Sequence, residues 1–164
     1  MKGCIFPGSF DPITCGHLEL IRRAAAVFDS VTVTVMVNRA KEGCIPYEER
    51  VRLIRKACTD LPNVKAELWQ GLLADYMREH RDCVVVRGVR CAAEFEQEMN
   101  AAAINRRLYS GLETVLFTAS DGQAEVSSST VREIASFGGN FRRFVPANIY
   151  RELKKWLKPV NQEK

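Results

Sequence analysis

The chain has no long hydrophobic run: nothing in its 164 residues approaches the roughly 18 to 20 consecutive apolar positions that a membrane span requires. No membrane partner is therefore expected. Glycine, at 10, and proline, at 6, are too few for a collagen-like or linker-dominated chain. The six cysteines (4, 15, 44, 58, 83 and 91) form no CxxC pair, and the two histidines do not stand beside them at zinc spacing, so no structural metal is expected and the thiols are read as reduced. Two phosphate-binding signatures are missing as well. There is no GxxxxGK[ST] loop and no GxGxxG after the first strand. Nothing has the Ser-His-Asp or Cys-His pattern of covalent catalysis. The charge excess is only 24 minus 20, or +4, which suits an anionic ligand but falls short of a basic stripe. The basic pairs Arg22-Arg23, Arg106-Arg107, Arg142-Arg143 and Lys154-Lys155 are interleaved with acids and read as solvated surface, so no nucleic-acid partner is expected. The opening MKGCIFPGSF carries no apolar core of leader type, because Pro7, Gly8 and Ser9 interrupt it, and a cytoplasmic location is expected.

With 46% apolar and 27% charged residues, the chain has the composition and length of one globular domain over residues 1–164. Strands are predicted over Lys2–Phe6, Val31–Val37, Val64–Trp69, Cys83–Val86 and Leu112–Thr118, with helices over Gly16–Phe28, Tyr47–Thr59, Leu72–Glu79 and Ala92–Leu108 between them. Two more helices, about Ser129–Ser136 and Pro146–Leu157, follow the last strand. On the tail helix, Ile149, Leu153, Trp156 and Leu157 recur at helical spacing as a docked face. Strands and helices alternating in this way give an α/β fold, a doubly wound five-stranded parallel sheet with a C-terminal helical extension. In such sheets ligands bind beyond the carboxyl ends of the strands, where strand order reverses. The loops that matter are then Pro7 to His17 and Arg87 to Cys91.

The first of these loops, Gly8-Ser9-Phe10-Asp11-Pro12-Ile13-Thr14-Cys15-Gly16-His17, delivers a histidine into the first turn of a helix, whose free N–H groups and positive dipole end favour an anion. Ser9 and His17 can donate to phosphate oxygens, and Gly16 admits a close approach. The same pattern also describes a capped helix with a surface histidine. The second loop places Arg87 and Arg90 around Gly88 and Val89, and arginine grips phosphate bidentately. Downstream, Glu94, Glu96 and Glu98 read from spacing as a mostly solvated helix face. After the second strand, Lys41 is the long cation best placed to fold over a bound anion. After the fifth, Gln123-Ala124-Glu125-Val126-Ser127-Ser128-Ser129-Thr130-Val131-Arg132 offers four hydroxyls at a helix start, more than one N-cap needs.

Taken together, G-S-F-D-P-I-T-C-G-H, R-G-V-R with the following E-F-E-Q-E-M-N (Glu94 to Asn100), and V-S-S-S-T-V-R resemble the bacterial phosphopantetheine adenylyltransferases of the nucleotidylyltransferase superfamily, from Lys2 to about Leu157. The resemblance implies a Rossmann-like sheet and transfer of AMP from ATP to 4'-phosphopantetheine, giving dephospho-coenzyme A and pyrophosphate. It implies catalytic roles for His17, Lys41 and Arg90. It also implies ATP contacts from Ser9, Phe10, His17, Gly88, Val89, Arg90, Glu98 and Gln123, Ala124, Glu125, Val126, Ser127, Ser128 and Ser129. Phosphopantetheine would meet Ser9, Lys41, Leu73, Arg87 and Asn105. Magnesium (Mg2+) would arrive with ATP and be held mainly by its phosphates rather than by protein ligands. A homohexamer is implied too, for which Phe95, Met99, Ala102 and Ala103 offer either an interface or ordinary core. Cys15, Phe6 and Gln123 stand where the family often has asparagine, tyrosine and tryptophan.

Two other readings remain at this level. One keeps the transfer but changes the acceptor to nicotinamide mononucleotide or, with CTP, to glycerol phosphate. The other is a nucleotide-binding regulator with no use for His17.

Overall fold

The computed structural model describes residues 2–37, 43–118 and 126–159. Five parallel strands, β1 (Gly3–Gly8), β2 (Ser30–Met36), β3 (Val64–Trp69), β4 (Cys83–Val89) and β5 (Thr114–Thr118), form one sheet in the order β3-β2-β1-β4-β5. The order reverses between β1 and β4, as the predicted topology requires. Helices α1 (Cys15–Val27), α2 (Tyr47–Ala57), α3 (Leu73–Glu79) and α4 (Ala92–Leu108) make the crossovers, and α5 (Ser128–Ser136) and α6 (Tyr150–Trp156) follow β5.

Side chains alternate along the inner strands, so each strand feeds two cores. Phe6, Val33 and Val86 join Leu18, Ile21, Leu53 and Ile54 of α1 and α2, together with Val131 of α5 and Leu153 of α6. Ile5 and Val85 face the other way, against Ala74, Tyr76 and Met77 of α3. Helix α4 differs from the other described α-helices in burying no residue.

The helical extension is shorter than its sequence pattern. It begins at Tyr150 rather than Pro146, and Ile149, Leu153 and Leu157 are buried while Trp156 is exposed, its indole N–H donating to Glu49 Oε1 at 3.3 Å. Indole is a large ring with a polar edge, and it rests here on the helix rim where that edge finds a carboxylate. The strands run further than predicted at the site: β1 continues through Gly8 and β4 through Val89. Arg87 and Gly88 therefore sit on a strand, not in a loop. No described helix is long and apolar enough to cross a membrane.

β1 pairs with β2 over six positions up to Gly8, but with β4 only from Gly3 to Ile5. Beyond Ile5 and Val85 the two central strands part. The next residues of β1 are Phe6 and Pro7, and proline has no N–H to give a neighbouring strand. A crevice thus opens at the switch point, with its floor on β1 and β4.

Candidate active site

The loop from β1 to α1 carries the histidine. Thr14 caps α1: its hydroxyl accepts the His17 backbone N–H at 3.4 Å, while the His17 ring accepts the Thr14 backbone N–H at Nδ1, 3.1 Å away. This is a capping box with histidine in the place usually held by Glu or Gln. It also settles the ring's protons. A backbone N–H can only donate, so Nδ1 must be the acceptor and the neutral ring carries its hydrogen on Nε2. Burial first, then the positive charges of Arg87 and Arg90, push the imidazole pKa down to about 4. At neutral pH the residue is a neutral Nε2–H donor, held in orientation by its own helix cap.

Phe10 sets the ring's other contact. It is buried and sits at φ +46°, a left-handed conformation unusual for a bulky residue and found mostly where surrounding structure enforces it. Its ring meets His17 edge-on at 5.1 Å and folds back so closely over Gly8 that a Cβ there would lie 2.9 Å from it. Ser9, between them, is exposed at the crevice.

Across the crevice, Arg87 is half-buried and forked onto Glu98 of α4, with Nε to Oε2 at 2.8 Å and Nη2 to Oε1 at 2.6 Å. Its remaining Nη1 donates to the Pro7 carbonyl at 2.7 Å, across the gap left where β1 and β4 part. Arg90 is bound to Glu94, with Nε and Nη2 both donating to Oε1, while Oε2 accepts the Arg90 backbone N–H at 2.9 Å. Arg90 in turn holds the Glu94 carboxyl below the usual carboxylate range. Of the three glutamates read as solvated, only Glu96 is exposed. Gly88 has a packing reason: a Cβ there would lie 2.3 Å from Leu20 Cδ1, so its absence lets α1 close over β4.

Two adjoining cavities share Pro7, Gly8, Ser9, Arg87, Gln97 and Glu98. One, of about 340 Å³, is walled by His17, Gly16, Arg90 and the start of α5; the other, of about 440 Å³, by Met36, Leu73, Ala101, Ala102 and Asn105. The first combines the donors His17, Arg87 and Arg90 and two helix starts with three glutamates, and the second sets Met36, Leu73, Val85, Ala101 and Ala102 beside the amides of Gln97 and Asn105. Phe10, Gly88, Glu98, Val126, Ser127 and Ser128 also line the first. Val89 is buried at the strand end, and Ser129 is exposed outside both cavities. Lys41, Gln123, Ala124 and Glu125 lie outside the described residues.

The hydroxyls at the start of α5 are largely committed to the fold. Ser127 is the N-cap, accepting the Thr130 N–H at 3.1 Å; Ser128 donates to the Pro12 carbonyl at 2.7 Å; Ser129 accepts from Arg132 at 3.2 Å. Arg132, counted by the sequence as part of an anion site, instead donates to the Asp11 carbonyl and lies 3.8 Å from its carboxylate. That carboxylate belongs to a buried cluster which sequence reasoning missed. Asp11 Oδ2 and Oδ1 accept the Cys44 and Ile45 N–H groups, each at 3.0 Å, and Arg50, buried on α2, lies 3.6 Å away. Arg50 donates to the Ile45 carbonyl at 2.7 Å and the Ser9 carbonyl at 3.0 Å. A charged residue in one amphipathic helix gives no sequence signal of burial, although Asp11 within F-D-P was in view. Cys15 is half-buried, its thiol pKa raised by that burial against the opposing effect of Arg22, which makes it a weak nucleophile at neutral pH.

The cytidylyltransferase-like family model matches residues 5–134. A phosphopantetheine adenylyltransferase of Rubrobacter xylanophilus is 46% identical over 155 residues, 94% of this chain and 94% of that one. Another, from Clostridium novyi, is 44% identical over 153 residues, covering 93% of this chain and 95% of the relative. Among solved structures, a bifunctional NMN adenylyltransferase/ADP ribose pyrophosphatase from Francisella tularensis superposes with a TM-score of 0.72 at 15% identity. The match covers 94% of this chain, which spans about half (49%) of that longer protein, and the likeness is one of fold.

Proposed function

The chain belongs to the phosphopantetheine adenylyltransferases, within the cytidylyltransferase-like family, and on that premise we propose that it moves the adenylyl group of ATP onto the phosphate of 4'-phosphopantetheine. The observation that carries the reading is the pair of joined cavities divided by Arg87 and Glu98: a donor-lined compartment suited to a nucleotide triphosphate and an apolar one suited to an amide-bearing arm.

The acceptor phosphate is the nucleophile. It carries about 1.5 to 2 negative charges near neutral pH, so it needs no general base. One of its oxygens forms a bond to the α-phosphorus of ATP, the bond from that phosphorus to the bridging oxygen breaks, and pyrophosphate leaves with the electron pair. Dephospho-coenzyme A is the other product. Such a transfer asks the protein for alignment and charge stabilisation. His17 donates from Nε2 to an oxygen of the reacting phosphoryl group, and its depressed pKa keeps it a donor of fixed orientation. Arg90 and Lys41 offset the charge of the triphosphate, with Gly88, Phe10 and the segment Gln123 to Ser128 around the nucleotide. Arg87, Ser9, Leu73 and Asn105 hold the acceptor. Both arginines already have carboxylate partners, so an incoming phosphate shares or displaces Glu98 and Glu94.

Magnesium fits this arrangement as a passenger of ATP. Among the described residues no three potential ligands converge, and the three carboxylates at the nucleotide cavity, Glu19, Glu94 and Glu98, are engaged by Arg23, Arg90 and Arg87. When bound, the metal would supply neutralising charge to the leaving phosphates. The protein works in the cytoplasm as a hexamer in this reading. Support comes from α4, on which no residue is buried: Phe95, Met99 and Ala103 are exposed and Ala102 is half-buried, so this face is not ordinary core of the protomer.

Mass spectrometry of a reaction containing ATP, magnesium and phosphopantetheine should detect dephospho-coenzyme A. Its absence, with substrates intact, would remove the proposed acceptor.

A further inference from the structure

We propose that the buried Asp11–Arg50 pair, clasped by Gly43, is a positioning device for the transfer: it holds the Ser9–Asp11 backbone so that Phe10 keeps His17 aligned. The inference rests on the reaction proposed above. Neither residue reaches the cavities. Both side chains are nearly inaccessible, at 4% for Arg50 and 8% for Asp11.

Beyond the ion pairs of Asp11 with Arg50 and Arg132, the described hydrogen bonds of both side chains end on backbone. Arg50 grips the Ser9 and Ile45 carbonyls, and Asp11 grips the Cys44 and Ile45 N–H groups. The Arg50 guanidinium also lies over the Tyr47 ring, 4.4 Å from its centroid, which fixes its plane. Further along the loop, Arg132 holds the Asp11 carbonyl and Ser128 the Pro12 carbonyl. The loop is thus clamped on either side of Phe10, the one described non-glycine residue at positive φ. Left-handed backbone at a bulky residue must be enforced from outside, and this clamp enforces it.

Stability alone does not call for such a pair. Replacing a buried ion pair by well-packed apolar residues is often neutral or stabilising, whereas directional bonds to four backbone groups fix a geometry that apolar packing leaves loose. Gly43 gives the clamp a second handle: a Cβ there would sit 1.7 Å from Arg50 Nη2, so any side chain must drive the guanidinium from its place.

The test compares Arg50→Lys, which keeps the charge but loses the fork, with Gly43→Ala, which keeps Arg50 but displaces it. Leu153→Ala in the buried face of α6 serves as a purely structural control. Steady-state kinetics and melting are measured for each. Both clamp variants should lose about 10-fold to 100-fold in kcat, the scale expected for sub-ångström misplacement of reacting groups, with KM for ATP and acceptor nearly unchanged. Leu153→Ala should melt lower yet keep the parental kcat below its transition. Should Arg50→Lys fail to fold, Gly43→Ala decides alone. Parental kcat in a folded clamp variant, or losses matched by the control at equal stability, would overturn the proposal. If the parent itself shows no transfer, the functional reading fails separately, and nuclear magnetic resonance of the His17 ring decides the clamp. Ring resonances shifted in Gly43→Ala but not in Leu153→Ala would uphold it, and unshifted ones would overturn it.

Discussion

Helices α1 and α4 wall the same crevice from opposite sides, yet they are held by different forces. α1 buries Leu18, Leu20, Ile21 and Ala24 in the core and begins with a reciprocal cap between Thr14 and His17. α4 is longer, has no side-chain cap bond and buries nothing; its ties to the site are the arginine pairs of Glu94 and Glu98. The group that must be placed most accurately therefore rides on the element fixed by packing. The carboxylates that must yield or share when phosphate arrives ride on the element fixed by polar contacts. Packing is stiff because interiors are close-packed, while partly exposed ion pairs exchange with water and ligand at little cost.

The largest effect that would sharpen this contrast is catalytic. His17→Ala should lower turnover by about 100-fold to 1,000-fold with a modest change in ATP affinity, as for other lost transition-state donors. Equal turnover in mutant and parent would discard the role given to α1. Next comes a stability comparison between the helices. Ile21→Ala, at a fully buried position, should cost about 2–5 kcal/mol in denaturant unfolding. Met99→Ala on α4, where the side chain is 54% exposed, should cost under about 0.5 kcal/mol in the isolated protomer. Met99→Asp should shift the assembly to smaller species by light scattering, while a parent already monomeric at micromolar concentration would contradict the hexamer.

The subtlest effect is in pH. Because the folded His17 pKa of about 4 lies below its ordinary 6.5, the unfolded chain takes up a proton in that window before the folded one does. Its contribution to stability is whole above pH 6.5, fades as pH falls towards 4, and is fully lost below. Protonation also places a hydrogen on Nδ1, where the Thr14 N–H already points. The ring resonances of His17 should titrate near 4 in the ligand-free protein, and a midpoint near 6.5 would contradict the buried neutral donor.

Much of this architecture was legible in the chain. The β-branched run of β2 and the helical periodicity between strands gave five strands and the switch point, because both patterns are local. Proline and glycine at positions 7 and 8 suggested a loop, yet they continue β1, since a parallel partner on one side suffices. The convergence of Ser9, His17, Arg87 and Arg90 on one crevice follows from topology, which the alternation implied. The pairing of Arg90 with Glu94 spans only four residues at the start of α4 and was overlooked, whereas that of Glu98 with Arg87 did not show in helix spacing, because Arg87 comes from β4. The Asp11–Arg50 clamp was hidden for the same reason: burial of a charge is decided by tertiary contacts over 39 residues of separation (50 minus 11). The hydroxyls of α5 serve the fold as well as the cavity: Ser128 donates to the Pro12 carbonyl and Ser129 accepts from Arg132, while Ser127 and Ser128 line the nucleotide compartment.

The most direct measurement of the central claim is pyrophosphate release from the purified protein with ATP and magnesium, comparing phosphopantetheine, nicotinamide mononucleotide and no acceptor. Release with phosphopantetheine alone is the predicted result. Release with nicotinamide mononucleotide instead, or with neither while ATP still binds, would contradict the account.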